Sequence, residues 1–187
     1  NTAGAQPVID CQQAGRAFYF GSGETKDCVV ENFTIKNGSA DKGGAIYCAN
    51  SSPSITNCTF SRNRANYYGG AIYCESGDPA ITNCTFSRGS ATWDGGAIYC
   101  YSSSLTVTDC TFSGNSAKGS GGAICCTDNT PIVTDCAFNS NSASDDGGAI
   151  ACYSSRPSLT NCAFSGNSAS DDGGAICCED SSRPSLT

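Results

Sequence analysis

Apolar residues along this chain come in runs too short for a helix, and they alternate. In Ala71-Ile72-Tyr73-Cys74, Ile72 and Cys74 share one parity while Ala71 and Tyr73 share the other, the alternation of a β-strand. Two further short stretches, Pro53–Thr56 and Cys58–Phe60, precede it, each bounded by Gly, Ser, Asn or Asp. Runs of good helix formers at 3.6-residue spacing are missing, and so is the LxxLxL pattern of leucine-rich repeats. The pattern predicts three short strands per unit.

The unit recurs. GGAIYC stands at Gly43–Cys48, Gly69–Cys74 and Gly95–Cys100, with one letter changed at Gly121–Cys126, Gly147–Cys152 and Gly173–Cys178, each copy 26 residues after the last. A second motif keeps the same step at Ile55, Ile81, Val107, Val133 and Leu159, carrying Cys58, Cys84, Cys110, Cys136 and Cys162. A repeat free of insertions places each residue above its counterpart, so the chain is expected to be an all-β parallel β-helix (β-solenoid) of about seven coils, adjacent strands about 4.8 Å apart. It reads as one domain, 1–187. Residues 1–32 form a degenerate first coil, 33–178 the regular repeats and 179–187 an incomplete last coil. In the degenerate coil Pro7–Cys11 is matched to PSITNC, Gly15–Phe20 to GGAIYC and Val30–Ile35 to ITNCTF.

Alternation assigns the columns. Phe18, Ile46, Ile72, Ile98, Ile124, Ile150 and Ile176 point inward, as do Cys58, Phe60 and their counterparts. The drifting column Tyr47, Tyr73, Tyr99, Cys125, Ala151 and Cys177 is expected to face solvent. Asn57, Asn83, Asp109, Asp135 and Asn161 suit a bend in the left-handed region, and the glycine pairs suit a sharp turn or a close backbone approach.

Composition narrows the function. Fifteen cysteines, no histidine and no methionine point to an oxidising, extracellular compartment. A net charge of −7 argues against nucleic acid and against anionic membranes, and no apolar run is long enough to span a bilayer. The start at Asn1, without Met or an apolar leader, suits a processed, exported protein.

No CxxC, no histidine and no cluster with ligand spacing favour a metal, so no metal and no cofactor are expected. Two possibilities stand for the cysteines: reduced core packing and disulfides. Bonds along one column would be strained, because side chains about 4.8 Å apart exceed the usual Cβ separation. Phe20 and Phe33 replace the two column cysteines together in the degenerate coil, which suggests cross-column pairs Cys48–Cys58, Cys74–Cys84, Cys100–Cys110, Cys126–Cys136 and Cys152–Cys162. Cys178 and Cys11 are then left as candidates for a bond between subunits. Asn32, Asn37 and Asn50 head N-x-S/T sequons and are candidate glycan acceptors.

GGA[ILV] at Gly69–Ile72 and its five siblings, combined with FxxN at Phe60–Asn63, Phe112–Asn115, Phe138–Asn141 and Phe164–Asn167, resembles the chlamydial polymorphic outer-membrane proteins, which are surface adhesins. Phe86–Gly89 departs from FxxN. The resemblance implies an extracellular right-handed β-helix. No part of the chain matches the barrel that such adhesins carry, and membrane insertion is not expected.

An enzyme on this fold would need carboxylates and a basic residue gathered on one strand face. The acidic residues Asp94, Asp145, Asp146, Asp171 and Asp172 sit instead in the turn before the glycine pair, where solvation or a weak calcium site would explain them. Arg62, Arg64, Arg88, Arg156 and Arg183 are scattered over separate units, and Ala137 and Ala163 interrupt the Thr59, Thr85, Thr111 ladder that ice binding would require. The expected function is a non-catalytic extracellular structural solenoid. Ser181–Thr187 repeats Ser154–Thr160 and stops inside a unit, which suggests head-to-tail stacking into a surface fibre. The alternatives are an adhesin whose exposed Tyr47–Tyr73–Tyr99 column binds a receptor or glycan, and a polysaccharide lyase-like enzyme.

Overall fold

A computed structural model describes residues 6–187. Residues 1–5 of the degenerate coil lie outside the described residues. The described chain is a parallel β-solenoid with four walls, three of seven strands and one of six. GGAIYC segments such as Ile72–Glu75 form one wall, Ser54–Thr56 and its counterparts the next, and Thr59–Ser61 and its counterparts the third.

The fourth wall is the difference from the expected three strands per coil. It consists mostly of two-residue strands such as Ser90–Ala91 and Ser116–Ala117, widening to Arg64–Tyr68 in one coil. Two residues are too few for alternation to stand out in a sequence.

Four walls require four corners, and each corner is one residue in the left-handed region. In one coil they are Asn57 (φ 53°), Arg62 (φ 53°), Gly69 (φ 65°) and Ser76 (φ 55°). The Asn/Asp corner and the glycine corner were expected. The Arg62 and Ser76 corners were not, because neither residue type advertises positive φ. At Gly70 the constraint is space: a Cβ there would strike the Gly96 carbonyl of the next coil.

The interior is built from identical residues in contact. Phe60, Phe86, Phe112, Phe138 and Phe164 stack with ring centroids 4.7, 4.8, 4.8 and 5.0 Å apart and planes within 5° of parallel. The Ile46, Ile72, Ile98 and Ile124 side chains are fully buried beside them. The FxxN asparagines form a second inner column. Asn141 Nδ2 donates to the Phe112 carbonyl at 3.1 Å and to Asn167 Oδ1 at 3.0 Å, while Asn141 Oδ1 accepts from the Asn115 backbone N–H. A buried amide is costly unless partnered, and here the partners come from neighbouring coils.

Register departs from the sequence matching at the two ends. Val8–Asp10 pairs with Thr34–Lys36, so Ile9 lies beneath Ile35, in the wall of the phenylalanines. Pro7–Cys11 is therefore not a copy of PSITNC, and Cys11 continues toward the level of Asn37. The matches of Gly15–Phe20 and Val30–Ile35 hold, since Phe20 pairs with Cys48 and Val30 with Ile55. At the other end Ser158 pairs with Ser185, one residue beyond the repeat, and both Asp180 and Ser181 take positive φ there.

Phe112→Ala should lower stability by about 3–5 kcal/mol, the usual cost of emptying a buried aromatic site. Thr111→Ala, in an outer column where Ala137 and Ala163 already stand, should stay within about 0.5 kcal/mol. Urea unfolding followed by circular dichroism measures both.

Candidate functional site

Three places could carry chemistry: the cysteine columns, the glycan-acceptor corners, and the side of the solenoid where the fourth wall turns into the GGAIYC wall.

All fifteen cysteines are free thiols in this structure. Parallel register sets Cys48 beside Cys74, Cys74 beside Cys100 and Cys152 beside Cys178. Cys100 likewise stands between Cys74 and Cys126. In the second column the Cys58 backbone N–H donates to Cys84 Sγ at 3.4 Å, and Cys84 and Cys110 repeat the contact one coil on. The Cys58 thiol donates to the Thr56 carbonyl at 3.2 Å.

The expected cross-column bonds Cys48–Cys58, Cys74–Cys84, Cys100–Cys110, Cys126–Cys136 and Cys152–Cys162 are not formed in this structure, in which the cysteines stand as thiols. The aromatic substitutions that suggested them have another cause. Phe33 packs edge-on against Phe18, 6.2 Å between centroids, and Phe18 belongs to the isoleucine column rather than to the cysteine column. The pairing rule that singled out Cys11 also loses its basis, because Cys11 does not occupy the Cys58 column, and Cys178 already neighbours Cys152.

Asn32 and Asn50 sit on positive-φ corners and are exposed, which suits glycan acceptors sterically. Asn37 is half-buried, and its Nδ2 donates to Asp10 Oδ1 at 2.9 Å.

The tyrosine column is not on the surface. Tyr73 is 3% exposed, Tyr99 8% and Cys125 0%. Tyr19, Tyr47, Tyr73 and Tyr99 stack at 5.4, 5.1 and 5.6 Å, and side chains of the adjoining turn fold over them. Tyr68 lies 4.5 Å from Tyr99 between centroids, and Lys42 Nζ lies 4.6 Å from the Tyr73 centroid. Tyr153 closes the upper end by donating to Ser120 Oγ at 2.7 Å and to Asp146 Oδ2 at 3.2 Å. Cys125 and Cys177, expected on an outward column, are both buried, Cys125 within this second small core. Exposed aromatics are Tyr19 at the end of the stack, Tyr101, and Tyr67 and Trp93 one corner away.

The turn carboxylates serve the backbone. Asp94 Oδ1 accepts from Ser120 N–H at 2.8 Å and Asp146 Oδ1 from Asp172 N–H at 3.0 Å. Burial pushes the Asp94 carboxyl above its ordinary range, partly offset by the Ser120 bond. Asp146, Cys177 and Glu179 bring three possible metal-ligand atoms within 4.8 Å of one another, a grouping that spans two coils and was not legible from spacing.

The profile of the family described as "Right handed beta helix region" matches residues 8–164. That of the "Chlamydia polymorphic membrane protein repeat" matches residues 161–179. No curated protein and no solved structure matches the chain.

Two measurements check the cysteine ladders. Alkylation in denaturant without reductant should label fifteen thiols by intact mass, and a shortfall of ten would restore the cross-column bonds. Burial also holds the Cys100 and Cys125 thiols above their ordinary value of 9.0. Above that pH an unfolded thiol loses its proton while the folded one keeps it, so the unfolded state is favoured. The urea midpoint should therefore hold up to about pH 9 and fall as pH rises further, and Cys125→Ala should reduce the fall.

Proposed function

The chain belongs to the family of right-handed β-helix proteins, and on that premise we propose that it is a non-catalytic, surface-displayed structural solenoid that stacks head to tail into a fibre. The single observation that carries this reading is the unbroken coil-to-coil register, with every wall a parallel sheet whose order simply follows the chain. Nothing in such a wall needs a partner except its two ends.

The ends supply the contact. At one, Leu159, Phe164, Ile176 and Leu186 line an open apolar hollow of about 390 Å³. At the other, Ile9, Phe18 and Phe33 are only partly buried. A coil laid across either end would continue the parallel sheets and cover apolar surface, and two different faces meeting in this way give a non-closing, fibre-forming contact. The short match to the chlamydial membrane-protein repeat supports a place at a cell surface or outer membrane.

The non-catalytic part of the reading draws on the turn carboxylates. Asp94 and Asp146 are engaged by backbone N–H groups, and Arg62 and Arg88 stand exposed on corners of the solenoid. The adhesin alternative loses the Tyr47–Tyr73–Tyr99 column as a binding face, because most of that column is covered.

Light scattering at rising protein concentration, with electron microscopy of the same samples, tests the proposal. Rods that lengthen with concentration are expected, and Phe164→Asp should abolish them while leaving the circular dichroism of the folded chain. A monomer at every concentration would refute head-to-tail assembly. Rods that persist in non-reducing detergent would bring back a Cys178–Cys11 bond.

A further inference from the structure

The turn between the fourth wall and the GGAIYC wall carries one residue per coil in a continuous backbone ladder. Trp93 N–H donates to the Tyr67 carbonyl, Gly119 N–H to the Trp93 carbonyl, and Asp145 N–H to the Gly119 carbonyl, at 2.9, 2.9 and 3.2 Å. The side chains of this column should therefore stack as those of the phenylalanine column do. They make contact once, Tyr67 and Trp93 lying 4.7 Å apart between centroids with their planes tilted by 47°. Above Trp93 the stack is interrupted, because the next position is Gly119.

Gly119 leaves a missing rung. Its neighbours in the column, Trp93 and Asp145, are two coil steps apart, about 9.6 Å. The indole packs against Tyr67 at a 47° tilt and against Tyr68 edge-on, 5.1 Å between centroids, and it lines a hollow of about 280 Å³. Tyr68, Asp94, Lys118 and Asp145 stand around the hollow. Trp93 is 48% exposed. The Asp94 carboxylate stands directly beside Gly119, where a Cβ would strike it and approach the Trp93 carbonyl.

We infer that this missing rung is a binding slot for a neutral pyranose of a glycan, stacked by its C–H face on Trp93 and held through its hydroxyls by Asp145, Asp94 and Lys118. Aromatic rings offer a large, rigid apolar face at low entropic cost, and a few convergent polar groups give orientation. Carboxylates accept from sugar hydroxyls, and the lysine donates to them. Two carboxylates against one ammonium leave the slot net negative, which disfavours uronic and other acidic sugars. The slot lies on the side of the solenoid, so it stays open in a stack of copies and goes beyond the structural role proposed above.

Trp93 is the single tryptophan of the chain, so its fluorescence reports the slot alone. The folded chain should be titrated with cellotetraose, mannotriose, chitotetraose and trigalacturonate, with calorimetry in parallel. At least one neutral oligosaccharide should shift the emission saturably, and trigalacturonate should not. By calorimetry Trp93→Ala should weaken that binding about tenfold, with Trp93→Tyr restoring part of it and far-ultraviolet circular dichroism unchanged in both. Absence of a saturable shift with every neutral probe at millimolar concentration would overturn the proposal, as would binding of trigalacturonate alone. Binding that survives Trp93→Ala would also overturn it. An emission shift that tracks protein concentration without sugar would assign the slot to a second copy of the chain instead.

Discussion

Every feature of this protein depends on one constraint: each backbone N–H must find a carbonyl on the coil above or below, about 4.8 Å away. A strand within a coil has no hydrogen-bonded neighbour in that coil, so the walls exist only through stacking. Once the register is fixed, each residue is compelled to sit on its own counterpart. Side chains that gain from contact with their own kind are favoured, and those that repel their own kind are not. Phenylalanine, isoleucine, asparagine and the neutral thiol satisfy that condition. Charge does not, and charged residues make up only 14% of the chain. The exceptions, such as Asp145 above Gly119 and below Asp171, are exposed at a corner where solvent screens them.

The same constraint explains the corners and the inner amides. A coil that must close in a fixed number of residues cannot adjust its bends by adding residues, so each bend is a single residue at positive φ. The bend before a phenylalanine wall uses Asn or Asp, whose side chains also form rungs, Asn83 Nδ2 donating to Asn57 Oδ1 at 2.7 Å. Inside, the FxxN asparagine satisfies carbonyl and N–H groups that the turn leaves free, and where Gly89 replaces it, the Gly89 N–H still bonds to Asn115 Oδ1. A rigid wall of this kind is well suited to holding surface groups in fixed places. Trp93 is held in that way, against Tyr67 below and beside the hollow at Gly119.

Much of this was legible in the sequence, and the parts that were not have physical reasons. The 26-residue step, the inward Ile, Cys and Phe columns and the Asn57-type corner follow from alternation and spacing, which are properties of single positions. The fourth wall was hidden because Ser-Ala is two residues long. The Tyr73 column lies on the outer face of its wall, yet most of it is buried and does not face solvent as alternation suggests. Its burial depends on Tyr68, Lys42 and Tyr153 folding over from other coils. The substitutions at Phe20 and Phe33 do not report a contact between the cysteine columns, because Phe33 touches Phe18. The slot above Trp93 was missed for a similar reason. It consists of a glycine that looks like any other until its neighbours up and down the column are known.

In-register stacking is tested most directly by a distance across several coils. Nitroxides carried on ketone-bearing residues at positions 61 and 165 leave the cysteines untouched and sit in one wall, four coils apart through Ser87, Ser113 and Asn139. Pulsed electron–electron resonance should give a single narrow distance near 19 Å, four steps of the parallel-strand spacing. A broad distribution, or a distance well beyond about 30 Å, would mean that the coils do not lie directly on one another, and with that the ladders, corners and slot described above would fall.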